Sequence, residues 1–179
     1  RHRIVHLQVC RPDQIVELRN RKAICDIQPV FVPSDIDIAT SRLGKWRSGW
    51  AYPWRDMLSS GLHLNGSSDA PVEPTSPLRG IWAAINRTDD EGEPVRGWRP
   101  DQCLTLEETL PLFTSNPPIS VGRGNQLGRI SEGFLADMVI LDRNIWRCPP
   151  QEIKKIKPLF TFVDGKLSHG RIEDWPSVL

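Results

Sequence analysis

The chain has 179 residues, 23 of them basic and 22 acidic, with a net charge of +1. This length suits one domain, or one domain and a part of another, with a real hydrophobic core. The balanced charge and the absence of an apolar stretch near the about 20 residues of a membrane span give no reason to expect nucleic acid or a membrane as a partner.

The first elements predict a parallel sheet. We expect a strand over residues 3–9, a helix over residues 12–21 that begins at a proline, and a second strand over residues 23–27. Strand, helix and strand at this spacing form a βαβ unit, which favours parallel pairing. Because the chain opens inside a predicted strand, we expect it to be the later part of a longer protein.

The third predicted strand is the most informative stretch. It follows a long connection, with predicted helices over residues 34–43 and 54–60, and it runs from Leu62 into small polar residues and Asp69. Barrel enzymes place their chemistry on the loops that leave strand ends, so Asp69 is a candidate working residue. The alternative is a simple turn, since short polar side chains bond their own backbone there.

The second half predicts two more helices and then a change of pattern. The helices cover residues 78–87 and 105–114, the second opened by a capping box of Thr105 and Glu108. Strands are expected over residues 127–130 and 138–141, followed by a hairpin turning at Asp164-Gly165. We therefore expect an α/β body with a small β-rich unit after it.

Cysteines and tryptophans add two further expectations. The four cysteines lie far apart and form no CxxC pair, which predicts free thiols in a reducing, cytoplasmic compartment. Trp46, Trp50 and Trp54 recur at a spacing of four, which fits one helical face or a pocket rim. We interpret the spacing as core packing.

His6 lies within the first predicted strand. Imidazole and carboxylate are both good zinc ligands, and the strand ends of a parallel sheet face one opening, so His6 and Asp69 could bind the same metal ion. The alternative for a histidine in an apolar strand is a core residue with a satisfied hydrogen bond.

Five motifs occur in order along the chain. They are residues 3–8 (RIVHLQ), 28–29 (QP), 52–55 (YPWR), 68–72 (SDAPV) and 133–142 (GFLADMVILD). This series resembles the amidohydrolase superfamily, and within it the YtcJ-like metal-dependent hydrolases (amidohydrolase family 3). The similarity covers nearly the whole chain except residues 171–179.

The resemblance implies a fold and a reaction. The fold would be a distorted TIM barrel, represented by its last three βα units over residues 1–125. The C-terminal part of a small β-sandwich would follow over residues 126–170, and then a tail over residues 171–179. The reaction would be hydrolysis of the C–N bond of a small amide or cyclic amide by metal-activated water.

The resemblance also implies roles for four residues. His6 would be a ligand of a divalent metal ion, with zinc as the expected metal. Asp69 would bind the same metal and take the proton of the attacking water. Gln28 and Arg55 would contact the substrate. The alternatives for these last two are a strand-end cap and a surface salt bridge.

The departures from the family pattern matter as well. Val5 stands where glutamate is usual and Ser67 where glycine is usual, and the remaining metal ligands of the family have no counterpart in this sequence. A catalytic zinc normally needs three protein ligands, so the chain alone is expected to be inactive. We expect a homo-oligomer or a complementing N-terminal barrel portion to cover its open strand edges. The alternatives are a non-catalytic truncated paralogue or interaction module, and an unrelated α/β binding domain with a tryptophan-lined pocket.

Overall fold

A computed structural model describes residues 2–171 and 173 of the chain. The strands are β1 (Arg3–Val5), β2 (Ile24–Ile27), β3 (His63–Gly66), β4 (Met138–Leu141), β5 (Pro158–Val163) and β6 (Lys166–His169). The α-helices are α1 (Pro12–Asn20), α2 (Phe31–Arg47), α3 (Trp54–Ser59), α4 (Pro77–Asn86), α5 (Leu106–Phe113) and α6 (Asn116–Ser120). Short 3₁₀ helices cover Ser48–Trp50, Pro100–Gln102, Ile145–Arg147 and Pro150–Lys155. Of the helices in the described ranges, none is long and apolar enough to cross a membrane.

The first three strands form a parallel sheet in the order β1-β2-β3, which confirms the predicted βαβ unit and the α/β class. Cys25 of β2 pairs with Ile4 on one side and with Leu64 on the other. Cys25 and Leu64 are fully buried in a core that includes Ile15 of α1 and Met57 of α3. One face of the sheet is therefore closed by apolar packing against helices.

The connection after β2 is more helical than its sequence predicts. Helix α2 covers Phe31–Arg47 with a kink at Gly44, whose φ of 76° is left-handed and ends the first helical segment where the sequence predicts an end. The tryptophans do not share one buried face. Trp46 is 76% exposed, whereas Trp54, which lies on a separate helix, is fully buried. Core packing is therefore correct for Trp54 and wrong for Trp46.

Arg87 is a buried cation that links α4 to the aromatic residues around it. Its guanidinium lies over the ring of Trp54 at 4.5 Å and that of Trp98 at 5.4 Å. It donates hydrogen bonds to the backbone carbonyls of Trp98 at 2.8 Å and Tyr52 at 3.2 Å. Burial lowers the pKa of Arg87 to about 10, so the group stays charged near neutral pH.

The last three strands form a separate antiparallel sheet in the order β4-β5-β6. The hairpin at Asp164-Gly165 is confirmed, with φ of 51° and 73° at the two turn residues. The strand predicted over residues 127–130 is wrong. Gly128 has a left-handed φ of 94° there and packs against the backbone of Ser115, so this stretch forms turns after a short helix, α6, that the sequence did not indicate.

An ion cluster joins α4 to the 3₁₀ segment at Pro150–Lys155. Asp90 accepts two hydrogen bonds of 2.9 Å from Arg79 and one of 2.8 Å from Lys154. The Lys154 ammonium also lies 3.9 Å from the centre of the Trp82 ring. Hydrogen bonds from Arg79 and Lys154 hold the pKa of Asp90 well below its usual range. Of the predicted tail, residues 172 and 174–179 lie outside the described residues.

Candidate active site

Three polar residues follow the three parallel strands and are joined by hydrogen bonds. His6 comes directly after β1, Gln28 after β2 and Ser67 after β3. His6 Nδ1 lies 3.0 Å from Gln28 Oε1, and Gln28 Nε2 donates to Ser67 Oγ at 2.7 Å. Because parallel strands end at a common edge, this chain of hydrogen bonds spans the carboxyl edge of the whole sheet.

His6 lies just beyond β1 and not inside it, which corrects the predicted strand over residues 3–9. Both His6 and Leu7 have left-handed backbone angles, with φ of 71° and 47°, and these end the strand. The His6 amide still donates to the Asp26 carbonyl at 2.9 Å, so the residue stays attached to β2. Its ring stacks on Phe31 of α2, with centroids 6.0 Å apart and planes inclined by 16°.

Gln28 is the buried member of the group, with an exposed fraction of only 3%. Besides its contacts with His6 and Ser67, its Nε2 lies 3.3 Å from the Asp26 carbonyl oxygen. The structure thus brings together two of the predicted site residues, His6 and Gln28. It adds Ser67, which the sequence marked only as a departure from the family pattern.

Asp69 follows β3 by three residues, within the loop that leaves the same edge of the sheet. Its backbone is left-handed, with φ of 58°, and its carbonyl accepts a hydrogen bond of 2.9 Å from Val72. A turn therefore forms at Asp69, as the alternative interpretation expected. The carboxylate has no hydrogen-bond partner among residues 2–171 and 173, so the turn leaves it available for other contacts.

Arg55 forms its hydrogen bonds away from the group of His6, Gln28 and Ser67. From α3 it forms an ion pair with Glu108 and donates to the Cys103 carbonyl at 2.6 Å. This is the salt bridge that was the alternative interpretation of Arg55. The structure does not join Arg55 to the group of His6, Gln28 and Ser67, and its contact with substrate stays a prediction.

A second polar layer lies below this edge, on the same face of the sheet. Asp26, two residues before Gln28, is 5% exposed and binds Arg3 through two contacts of 2.9 and 2.8 Å. Asn65 of β3 donates to Asp26 at 2.7 Å and to Ser120 of α6 at 2.8 Å. The sequence contains a signal for this layer, because Asp26 and Gln28, and likewise Asn65 and Ser67, are two positions apart. A strand places residues at that spacing on one face.

A cavity of about 280 Å³ opens beside the group, between the end of β3 and the start of α4. Its lining includes Ser67, Ser68, Ser76 and Phe113. Within the described part of the chain, no group of three or more histidine, cysteine, aspartate or glutamate side chains is placed to hold a metal ion. The groups that the site presents to a ligand are the hydrogen-bonding side chains of Gln28 and Ser67, the imidazole of His6 and the carboxylate of Asp69.

Comparison with known proteins decides the family. The profile of the amidohydrolase family matches residues 1–169. The chain belongs to the amidohydrolase family. This confirms the resemblance of the five sequence motifs, and it places His6, Gln28, Ser67 and Asp69 within the matched part of an amidohydrolase-family sequence.

Individual relatives of this amidohydrolase-family chain are considerably longer. It is 30% identical to YtcJ of Bacillus subtilis (strain 168) over 169 residues, which are 94% of this chain and 32% of that relative. It is 35% identical to the N-substituted formamide deformylase of Arthrobacter pascens over 120 residues, which are 67% of this chain and 22% of that enzyme. The chain therefore spans about a third or less of the length of these curated relatives.

The fold agrees with this membership. The structure is similar to the crystal structure of an uncharacterized metal-dependent hydrolase from Pyrococcus horikoshii OT3, with a TM-score of 0.71 and 28% identity. The similarity covers 93% of this chain and 31% of that protein. Most of this amidohydrolase-family chain thus shares its fold with a solved hydrolase.

Proposed function

We propose that this chain is the C-terminal part of a metal-dependent amidohydrolase that cleaves the C–N bond of an amide or cyclic amide. The observation that carries the proposal is the hydrogen-bonded group of His6, Gln28 and Ser67 at the carboxyl edge of a parallel sheet, with the Asp69 carboxylate in the same edge loop. In this proposal β1 to β3 are the last three strands of a distorted TIM barrel, and β4 to β6 belong to a small β-sandwich.

The donor chemistry fits part of a zinc site. The contact of His6 Nδ1 with Gln28 leaves Nε2 as the nitrogen able to bind a metal, and Asp69 supplies a carboxylate. Imidazole and carboxylate are both common zinc ligands, and zinc is usually held by three from the protein. A zinc ion bound by His6 and Asp69 would therefore need at least one further protein ligand from outside the described residues. A divalent metal, when bound, lowers the pKa of the attacking water.

Three side chains of this chain would have further roles in catalysis and substrate binding. Asp69 would accept the proton of the attacking water at its carboxylate oxygen and pass it to the leaving nitrogen, as a general base and then a general acid. Gln28 would hold the His6 ring in place. Arg55 would contact the substrate only after giving up part of its present hydrogen bonding to Glu108 and Cys103.

The missing ligands would come from the rest of a barrel. Strands β1 and β3 are the two edges of the parallel sheet, and such edges are normally paired or covered. The two curated relatives are about three and about four and a half times as long as their matched segments. We therefore propose that an N-terminal barrel portion, in a longer protein or a partner copy, completes the sheet and the site in the cytoplasm. The isolated chain would then give no turnover.

A chimeric enzyme tests the proposal. The segment of the Arthrobacter pascens deformylase that matches this chain would be replaced by the chain itself, and zinc-dependent hydrolysis of N-substituted formamides and simple amides would be measured. We expect the chimera to turn over and the isolated chain to be inactive. Asp69→Asn and His6→Gln should each lower the rate of the chimera by about 100-fold or more, since each removes a metal ligand.

Matched variants control for damage to the fold. Asp37→Asn on the exposed side of α2 and His2→Gln before β1 change the same residue types away from the group, and both should leave the rate unchanged. Turnover by the isolated chain would contradict the missing-ligand reasoning. A chimera that folds and binds zinc but hydrolyses nothing would favour the alternative of a non-catalytic interaction module.

A further inference from the structure

We propose that Ser67 is a positioning residue that, through Gln28, fixes the tautomer of His6. The inference rests on the proposed function in one respect only, that His6 Nε2 is the atom offered to a metal. The hydrogen bonds that carry it connect three strand ends, over 22 residues between His6 and Gln28 and 39 residues between Gln28 and Ser67.

The first step is the orientation of the Gln28 amide. Its nitrogen Nε2 lies 3.3 Å from the Asp26 carbonyl oxygen. A carbonyl oxygen only accepts hydrogen bonds, so the amide NH₂, and not the amide oxygen, must face it. Since Gln28 is 3% exposed, there is little room for water to satisfy the opposite orientation.

The second step is the direction of the Ser67 hydroxyl. Its Oγ lies 3.3 Å from the Ile27 carbonyl oxygen and 2.7 Å from Gln28 Nε2. The single hydroxyl proton goes to the carbonyl, which cannot donate, and the oxygen lone pair then accepts from Gln28. The Ser67 amide also donates to the Ile27 carbonyl at 2.9 Å, which fixes the residue against β2.

The consequence falls on His6. With the Gln28 amide nitrogen held by Asp26 and Ser67, its oxygen Oε1 faces His6 Nδ1 at 3.0 Å. Because that oxygen only accepts, the proton of the neutral ring belongs on Nδ1, and the lone pair is on Nε2. Free neutral histidine in water favours the opposite tautomer, so the group reverses the ordinary preference. A ligating histidine that donates its other N–H to an oxygen is the arrangement found at metal sites.

The chain contains its own reference for the opposite tautomer. His63 Nε2 lies 3.1 Å from the Asn116 carbonyl oxygen, which only accepts, and 3.1 Å from Ser120 Oγ. His63 should therefore carry its proton on Nε2. Two of the four histidines are thus expected to differ in tautomer within one protein.

The test is a two-bond ¹H–¹⁵N correlation spectrum of the histidine rings, recorded on the metal-free chain at about pH 8.5, where an ordinary imidazole is neutral. His6→Gln and His63→Gln assign the two rings. We expect the Nδ1–H pattern for His6 and the Nε2–H pattern for His63. Ser67→Ala should lower the Nδ1–H to Nε2–H ratio of His6 about fivefold, equivalent to about 1 kcal/mol for one lost hydrogen bond.

Two further variants separate positioning from a general structural role. Ser67→Thr keeps the hydroxyl and should retain the wild-type ratio, whereas Gln28→Leu removes the acceptor and should return His6 to the preference of free histidine. A backbone amide spectrum shows whether each variant is folded. An Nε2–H pattern for His6 in the wild-type chain would overturn the proposal, as would a folded Ser67→Ala with an unchanged ratio.

The measurement uses neither metal nor substrate. An inactive chimera would therefore count against hydrolysis alone, and a folded Ser67→Ala with an unchanged tautomer ratio would count against the role of Ser67 alone.

Discussion

The ring of Phe113 packs against Gly66 and Gly80. Its contact with Gly80 gives the sharpest stability prediction. A Cβ at Gly80 of α4 would lie 2.6 Å from the ring atom Cζ and 3.0 Å from Cε1. Since carbon atoms pack best at about 3.5–4.0 Å, the ring or the helix must shift by up to about 1 Å. Overpacking of this kind costs about 1–3 kcal/mol, whereas alanine in a helix gains about 1 kcal/mol over glycine. Gly80→Ala should therefore destabilise the chain by about 0–2 kcal/mol.

The contact is tested by a double-mutant cycle. In a Phe113→Ala background the ring is absent, and Gly80→Ala should then stabilise by about 1 kcal/mol from helix propensity alone. The coupling free energy between the two sites should be about 1–3 kcal/mol. Urea unfolding followed by tryptophan fluorescence measures all four proteins, and a change of 1 kcal/mol corresponds to about 2–4 °C in Tm at this chain length.

Gly49 provides the matched control, because a Cβ there meets no atom within 4 Å and its φ is not left-handed. Gly49→Ala should leave the free energy of unfolding within about 0.5 kcal/mol of wild type. If Gly80→Ala has the same effect with and without the Phe113 ring, the steric reasoning is refuted.

Three further predictions concern polar side chains whose hydrogen bonds stabilise the fold. Asp90→Asn should cost at most about 1 kcal/mol at pH 7, because the carboxylate is half exposed and solvent screens its ion pairs. As the folded pKa is depressed, that difference from wild type should be full above about pH 4, decline as the pH falls below it, and disappear only when the pH falls through the folded pKa. Urea unfolding should therefore give a smaller difference at pH 2.5 than at pH 7. Arg87→Lys should cost about 2 kcal/mol or more, since an ammonium cannot replace a planar guanidinium stacked on two tryptophans and bonded to two carbonyls, and near-ultraviolet circular dichroism should report the altered rings. Thr105→Ala should cost about 1 kcal/mol by thermal unfolding and Thr105→Ser almost nothing, because only the first removes the oxygen that caps α5.

Local signals in the sequence predicted local structure well. The proline at the start of α1 and the capping box of Thr105 and Glu108 correctly mark helix starts. The Asp164-Gly165 pair correctly marks a hairpin. Each of these signals acts through residues within a few positions of one another, so no knowledge of the rest of the chain is required.

The errors arose where a distant contact or an unexpected backbone conformation overrides the local sequence pattern. Residues 127–130 have the apolar pattern of a strand, but Gly128 packs against the backbone of Ser115 and adopts a left-handed turn. Residues 3–9 have a strand pattern throughout, yet the left-handed angles at His6 and Leu7 end the strand early. Trp46 has the spacing of a buried residue but lies on the surface, and it belongs to α2, whereas the buried Trp54 belongs to α3.

By itself, the sequence determined the α/β class, the family and the residue types at the strand ends, because periodicity, turn chemistry and ordered motifs are properties of neighbouring positions. Only the tertiary structure decided that His6, Gln28 and Ser67 form one hydrogen-bonded group and that Arg55 binds Glu108. The physical reason is that contacts over 22, 39 and 53 residues depend on the register of parallel strands and on helix packing. No short segment specifies either of these.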